Sequence, residues 1–271
     1  MPTAAPRRRS HRETLTEDHL GRPRRVVGPV AALDTRTPTA HDLLLLHCPN
    51  SLRRTVAGAE PLPGWTKAVL RGNPWVTVRR APVLAGGPAD AHGPVRCRRD
   101  VTAVPESWIP ITLRGAEREQ RVSGYAPRSA VAVTLRPEQL PGRLDQLPAN
   151  RREHIPALAA LPLAGEIIDS YRPVWGPIGA VGCELATGAP AVGPASPLRL
   201  LLRSPMPFSR RDALLLRRAL RKLPVWVEAE LETRHGAVSL AEYSTSPQVL
   251  TLHTPDGPRI VADPWYATGA A

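Results

Sequence analysis

Three glycines spaced three residues apart form the clearest candidate ligand-binding segment of the chain. Gly176, Gly179 and Gly182 lie before and within a predicted short helix. Their backbone N–H groups can approach a ligand closely, and the N-terminus of a helix favours phosphate. The same spacing also fits a tight turn in front of a packed helix. The glycines therefore indicate a phosphate site or a structural turn.

The elements that must position this segment are clearest in the second half of the chain. A helix is predicted over 179–186, because Gly188 is placed to cap its C-terminus. Alternation of apolar and polar residues over 225–232 predicts a strand in which Glu228 and Glu230 share a face. The other predicted elements are a strand at 198–203, an amphipathic helix at 212–223 capped by Ser209, and hairpin strands at 249–253 and 259–262. This order predicts an α/β (α+β) fold with a mixed sheet and helices.

The first half contains short β-branched and aromatic runs, which predict strands at 75–78, 109–113 and 131–135. His41 and Asp42 precede a run of four leucines. They are candidates for a general-base pair, although an Asp in this position also fits a helix cap.

Three regions follow from these patterns. Residues 1–38 are rich in Pro, Arg and Thr and predict a disordered or divergent extension. We expect a smaller, strand-rich domain over 39–150 and a second domain over 151–271.

Composition excludes several classes of protein. The chain has 271 residues, 42% of them hydrophobic, and a formal net charge of +12, so it can bury a core and favours anionic partners. No apolar run approaches the length of a membrane span and no signal peptide is visible, which predicts a cytoplasmic protein without a membrane partner. Cys48, Cys97 and Cys183 fit neither a disulfide framework nor a zinc pattern, and we expect reduced thiols. Nucleic acid is a weak candidate partner, because only the charge suggests it.

Several motifs occur in the same order as in one known enzyme family. The longest is Trp175-Gly176-Pro177-Ile178-Gly179-Ala180-Val181-Gly182-Cys183-Glu184-Leu185-Ala186-Thr187-Gly188. Shorter ones are His41-Asp42-Leu43-Leu44, Val78-Arg79-Arg80, Leu113-Arg114-Gly115, Leu231-Glu232-Thr233 and Asp256-Gly257-Pro258-Arg259-Ile260-Val261-Ala262-Asp263-Pro264-Trp265. On these motifs residues 39–266 resemble the malonate decarboxylase holo-acyl-carrier-protein synthases, also called phosphoribosyl-dephospho-CoA transferases.

The resemblance implies a nucleotidyltransferase-like sheet in the C-terminal half and a specific reaction. Such an enzyme attaches the 2'-(5''-triphosphoribosyl)-3'-dephospho-CoA prosthetic group to a serine of the acyl-carrier subunit of malonate decarboxylase, releasing pyrophosphate. Mg²⁺ held by carboxylates would assist the attack. The resemblance places phosphate binding at Gly176, Gly179 and Ala180, and it makes Glu228 the third metal-binding acid.

The chain departs from the family pattern at the chemistry itself. A Gly-Ser pair reads Gly179-Ala180, and a Ser-Asp-Leu-Asp-Leu motif reads Ser196-Pro197-Leu198-Arg199-Leu200. Two carboxylates are thereby replaced by a proline and a cation, which repels divalent metal. We hypothesise that Arg199 pairs with Glu228 or Glu230 and takes the place of the metal; otherwise Arg199 points to solvent.

Basic residues supply further candidates. Arg114, Arg118 and Arg121 fall within the resemblance and are candidates to bind triphosphate or an acidic carrier surface. The basic face of the helix that Ser209 begins could dock a carrier, although a solvated face is the simpler interpretation. Two functions remain open: the transferase itself, and a catalytically impaired relative that binds nucleotide or carrier without transfer.

Overall fold

The computed structural model describes residues 36–53, 62–85, 107–115, 117, 119–245 and 248–266. The chain divides into units 1–32 and 33–271, and every described residue belongs to the second. Arg118 and most of the predicted N-terminal extension lie outside the described residues.

Twelve strands and seven α-helices are described. The strands are β1 Leu43–Leu46, β2 Trp75–Val78, β3 Leu84–Ala85, β4 Ser107–Arg114, β5 Arg121–Pro127, β6 Val131–Leu135, β7 Val174–Ile178, β8 Leu198–Arg203, β9 Val227–Thr233, β10 Gly236–Ser239, β11 Leu250–Thr254 and β12 Gly257–Val261. The helices are α1 Gly64–Gly72, α2 Ala149–His154, α3 Pro156–Ala159, α4 Leu161–Asp169, α5 Gly179–Thr187, α6 Arg210–Leu220 and α7 Leu240–Thr245. Short 3-10 turns lie at Pro49–Ser51, Arg128–Ala130, Pro137–Gln139 and Pro141–Gln146.

The strands form two six-stranded sheets. In the first, β3, β4, β2, β1 and β6 lie side by side, β5 also pairs with β4, and all pairs are antiparallel. The second has the order β12-β11-β10-β9-β8-β7. Only β8 and β9 run parallel there, because helix α6 carries the chain back across the sheet between them. The predicted α+β class with a mixed C-terminal sheet is confirmed, whereas the domain boundaries stay predictions.

Helix α6 shows how local sequence builds the second sheet's core. The Ser209 hydroxyl accepts a hydrogen bond from the Asp212 amide at 3.0 Å, which begins the helix as predicted. Its buried residues Ala213, Leu216 and Leu220 pack with Leu200 of β8 in one apolar cluster. A separate cluster covers the first sheet, with the buried residues Leu44, Leu46, Leu52, Leu70, Val76, Val78, Ile109, Ile111, Leu113, Val122 and Ala126.

Two predictions in the first half are wrong. The leucine run after Asp42 is strand β1, so Asp42 caps no helix. Instead its carboxylate accepts the Thr39 amide at 2.9 Å, in a turn before the strand. Cys48 is disulfide-bonded, whereas Cys183 is a free thiol. Sequence spacing did not reveal the bond, because pairing depends on how the fold brings cysteines together.

No described helix has both the length and the apolar composition needed to cross a bilayer.

Candidate active site

The N-terminus of helix α5 is open to an anion. Its first residue, Gly179, has φ +67°, a conformation that L side chains rarely adopt. A Cβ at Gly179 would lie 3.2 Å from Arg199 Cδ, so glycine also makes room for that arginine. The N-cap residue, Ile178, makes no side-chain hydrogen bond to the first turn. The amides of Gly179 and Ala180 are therefore not capped by a side chain, and Gly179 lies beside the aliphatic part of the Arg199 side chain.

Gly176 has a packing role in the structure. It lies inside strand β7, and a Cβ there would collide with the Pro137 carbonyl. Gly182, within α5, similarly faces the Pro177 carbonyl at 2.7 Å. Close packing accounts for both glycines, and phosphate binding at Gly176, Gly179 and Ala180 stays a prediction.

Arg199 and Glu228 face each other across neighbouring strands. They are register partners on the parallel strands β8 and β9, and Arg199 Nε donates to Glu228 Oε2 at 2.6 Å. Both side chains remain about half exposed. The hypothesised Arg199–Glu228 pair is confirmed as a contact, and its role in place of a metal stays a prediction.

Strand β9 continues this pattern with a second carboxylate on the same face. Glu230 Oε2 lies 3.2 Å from His41 Nε2, which joins the turn before β1 to the second sheet. Burial alone would raise the pKa of Glu230, but the hydrogen bond from His41 and the charges of Arg80 and Arg199 outweigh it, and the pKa is lowered. Glu230 is therefore held as a carboxylate.

Arg203 anchors the third carboxylate of β9 and the turn before β1. It donates to Glu232 at 2.7 Å and to Glu138 at 2.6 Å, while Arg80 reaches Glu232 at 2.9 Å. Arg203 also lies 3.4 Å from Asp42, which is fully buried. Burial raises the pKa of Asp42, and the Thr39 amide and the charge of Arg203 only partly oppose that rise. His41 and Asp42 thus turn to different partners and do not form the predicted general-base pair.

Two further arginines lie in the first sheet, whose strand β2 contacts helix α5 through Thr77 and Cys183 and pairs with β4. Arg114 and Arg121 are cross-strand partners on β4 and β5. Burial lowers the pKa of Arg114, and the positive charges of Arg121 and Arg199 lower it further. Within the described residues, neither guanidinium has a carboxylate within ion-pair distance. Like charges placed opposite each other repel, and a bound anion would relieve that repulsion.

Cys183 of α5 connects these arginines to the helix. Burial raises the pKa of its thiol, while Arg114, Arg121 and a 4.0 Å contact with Thr77 oppose the rise. The Thr77 contact brings β2, and with it the neighbouring strand β4, next to α5.

A cleft of about 920 Å³ runs over this face of the second sheet. Arg199, Glu228, Glu230 and His41 line one part of it, and Trp226 with two arginines of the α6 region lines another. A cleft of this size suits a large nucleotide ligand.

Magnesium, which the family resemblance implies, does not fit the donors present. Pro197 offers no side-chain ligand, and the Arg199 guanidinium already occupies Glu228. The described part of the chain contains no group of three or more His, Cys, Asp or Glu side chains arranged to hold a metal ion. A hard divalent cation requires several oxygen ligands. Among the described residues, arginine side chains supply the positive charge at this site.

Sequence reasoning missed Arg80 and Arg203 as site residues. Period-two alternation predicted that Glu228, Glu230 and Glu232 share a face, which the register confirms. Three carboxylates on one face of a strand indicate that basic side chains lie nearby. The sequence pattern does not show which basic residues these are.

Similarity to known proteins extends over most of the chain. Residues 143–264 match the family model described as the phosphoribosyl-dephospho-CoA transferase MdcG C-terminal domain. A phosphoribosyl-dephospho-CoA transferase of Azotobacter vinelandii is 36% identical over 238 residues, covering 86% of this chain and 97% of the relative. A relative with the same name from Pseudomonas aeruginosa is 37% identical, and the match covers 84% of this chain and 94% of the relative. Another, from Klebsiella pneumoniae, is 30% identical, and the match covers 85% of this chain and 97% of the relative. No solved structure matches the chain.

Proposed function

Because the chain belongs to the phosphoribosyl-dephospho-CoA transferase family, we propose that it transfers the phosphoribosyl-dephospho-CoA group from its triphosphoribosyl precursor to a serine of the acyl-carrier subunit of malonate decarboxylase. Pyrophosphate is the leaving group of this reaction. Membership of this family makes the protein a transferase. The proposal adds the carrier serine as acceptor and pyrophosphate as leaving group.

The observation that supports the proposal is the basic side chain of Arg199 beside the start of helix α5. It lies against Gly179, and Arg114 and Arg121 form a second basic pair as cross-strand partners on β4 and β5. Guanidinium groups and helix-terminal amides together form a strong site for phosphate oxygens. A triphosphate carries the multiple negative charge that this combination would neutralise.

The chemistry is a displacement at the α-phosphorus. The carrier serine oxygen forms a bond to the α-phosphorus, the bond from that phosphorus to the bridging oxygen breaks, and pyrophosphate leaves with the electron pair. Glu228 is the proposed acceptor of the serine proton at Oε1, because Arg199 holds Oε2. The arginines offset the negative charge that develops on the leaving group.

A second function is supported by the Arg199–Glu228 pair itself. The Arg199 guanidinium occupies one oxygen of the Glu228 carboxylate, and the two residues that replace the family's acids offer no ligand for a metal. A relative with this site would bind the nucleotide or the carrier without transferring the group.

One assay separates the two functions. The protein is incubated with the triphosphoribosyl precursor and apo-carrier, with magnesium or with EDTA, and the intact mass of the carrier is measured. Transfer raises the mass of the carrier by the mass of the precursor minus that of pyrophosphoric acid. The Azotobacter relative serves as the positive control. Precursor binding by calorimetry with no change in carrier mass would support the second function.

A further inference from the structure

Trp226 is an exposed aromatic side chain inside the cleft. It is 68% exposed and is the only Trp, Tyr or Phe among the described residues that line the cleft. It lies two residues before Glu228 along an extended chain, and its carbonyl accepts the Leu198 amide at 2.9 Å. Trp226 immediately precedes strand β9, and both Trp226 and Glu228 line the cleft. An indole there presents a flat apolar surface directly beside the candidate site.

Two arginines stand around the same end of the cleft. Arg217 and Arg221 line it, and they are four residues apart, so they lie on one side of the α6 region. Both carboxylates of the cleft already have basic partners, since Glu228 pairs with Arg199 and Glu230 with His41. Among the described residues no carboxylate lies within ion-pair distance of Arg217 or Arg221.

We propose that Trp226, Arg217 and Arg221 form a subsite for a nucleoside diphosphate unit. The base stacks on the Trp226 indole, and the two arginines bind the diphosphate. This inference rests on the proposed function, because dephospho-CoA contains an adenosine diphosphate unit besides the triphosphate arm. The adenosine diphosphate unit then lies at Trp226, and the triphosphate arm extends toward Arg199, which also lines the cleft.

The test compares the affinities of ADP and pyrophosphate by calorimetry. Wild-type protein should bind ADP more tightly than pyrophosphate, because only ADP carries a base. Trp226→Ala should weaken ADP binding by about fivefold or more and leave pyrophosphate binding unchanged. Arg217→Gln combined with Arg221→Gln should weaken both ligands. Tyr266→Ala is the control, since Tyr266 is 64% exposed and does not line the cleft.

The subsite would be overturned if wild-type protein bound ADP no more tightly than pyrophosphate, or if Trp226→Ala left ADP affinity unchanged. These outcomes are separate from those of the carrier assay. If Trp226→Ala loses ADP affinity while wild-type protein fails to modify the carrier, the transfer is refuted and the subsite is supported. If wild-type protein modifies the carrier while Trp226→Ala keeps its ADP affinity, the transfer is supported and the subsite is refuted.

Discussion

Arg199 Nε lies 2.6 Å from Glu228 Oε2, at a register position where β8 and β9 run side by side. The family resemblance implies a carboxylate at position 199, and our hypothesis is that this contact puts a cation in the place of a metal ligand. The local consequence is a site whose positive charge comes from arginine side chains and helix amides. Its chemistry and its metal requirement can be tested separately.

Restoring the two acids should create a divalent cation site. In the double variant Pro197→Asp with Arg199→Asp, two carboxylates join Glu228, and the charge at these two positions changes from +1 to −2. We expect Mn²⁺ to bind the variant about tenfold or more tightly than wild type, because the repelling guanidinium is gone. Electron paramagnetic resonance of free Mn²⁺ measures this directly. Pro207→Asp with Arg218→Asp makes the same charge change at exposed positions outside the cleft lining and should not create the site. Equal Mn²⁺ affinity in the two double variants would contradict the account.

Gly179→Ala should impair both stability and anion binding. Gly179 has φ +67°, and the added Cβ would press on Arg199. We expect a loss of about 1–2 kcal/mol in unfolding free energy from the backbone strain, and weaker binding of inorganic triphosphate. Gly188→Ala is a matched control, because Gly188 has φ +70° with open space around it at the other end of the same helix. Urea unfolding should show a lower unfolding free energy in both variants. Triphosphate titration should show weaker binding only in Gly179→Ala. Unchanged triphosphate affinity in Gly179→Ala would show that the start of α5 does not bind the anion.

Arg121→Gln should weaken triphosphate binding by about tenfold, the equivalent of about 1.4 kcal/mol. The free protein should not lose stability, because the substitution removes repulsion between Arg121 and its partner Arg114. Calorimetry with inorganic triphosphate and thermal unfolding check the two parts. Arg211→Gln, on the exposed surface of α6, should leave the affinity unchanged. A loss of stability without a loss of affinity would assign Arg121 a structural role only.

Glu184→Gln should destabilise the fold by about 3 kcal/mol. Glu184 is almost fully buried, and it accepts hydrogen bonds from Arg151 and from the amides of Ala191 and Val192. Breaking a buried pair leaves its partner without compensation. Asp145→Asn is the control, because its pair with Arg152 is exposed and should contribute less than about 1 kcal/mol.

The Glu184 pair also predicts the pH dependence of stability. Burial alone would raise the pKa of Glu184, but Arg151 and the two amides outweigh it, and the pKa is lowered. A lowered pKa in the folded state contributes stability above the ordinary value of 4.5, and that stability is lost as the pH falls through the folded-state pKa. Urea unfolding from pH 3 to pH 7 should therefore show a steeper acid loss in wild type than in Glu184→Gln. Parallel curves would contradict the assignment.

Local sequence signals predicted the regular elements well. Strands β2 and β6 have the predicted bounds, and helix α5 ends at the left-handed Gly188 as expected. Strand β7 was missed because it contains Gly176 and Pro177, which disfavour central strands. It is the last strand of its sheet, where proline is tolerated.

The site was predictable only in part. Alternation and the family resemblance together predicted that Arg199 could reach Glu228. The contacts of His41 with Glu230 and of Arg80 with Glu232 span 189 and 152 residues of sequence. Such contacts depend on how the two sheets meet, and no periodicity within one segment carries that information.

The intact mass of the apo-carrier after incubation with wild-type protein and the triphosphoribosyl precursor tests the central claim most directly. The account predicts that the carrier gains the prosthetic group, and that Glu228→Gln abolishes the gain without weakening precursor binding. A carrier left unmodified by wild-type protein, under conditions in which the Azotobacter relative modifies it, would contradict the claim.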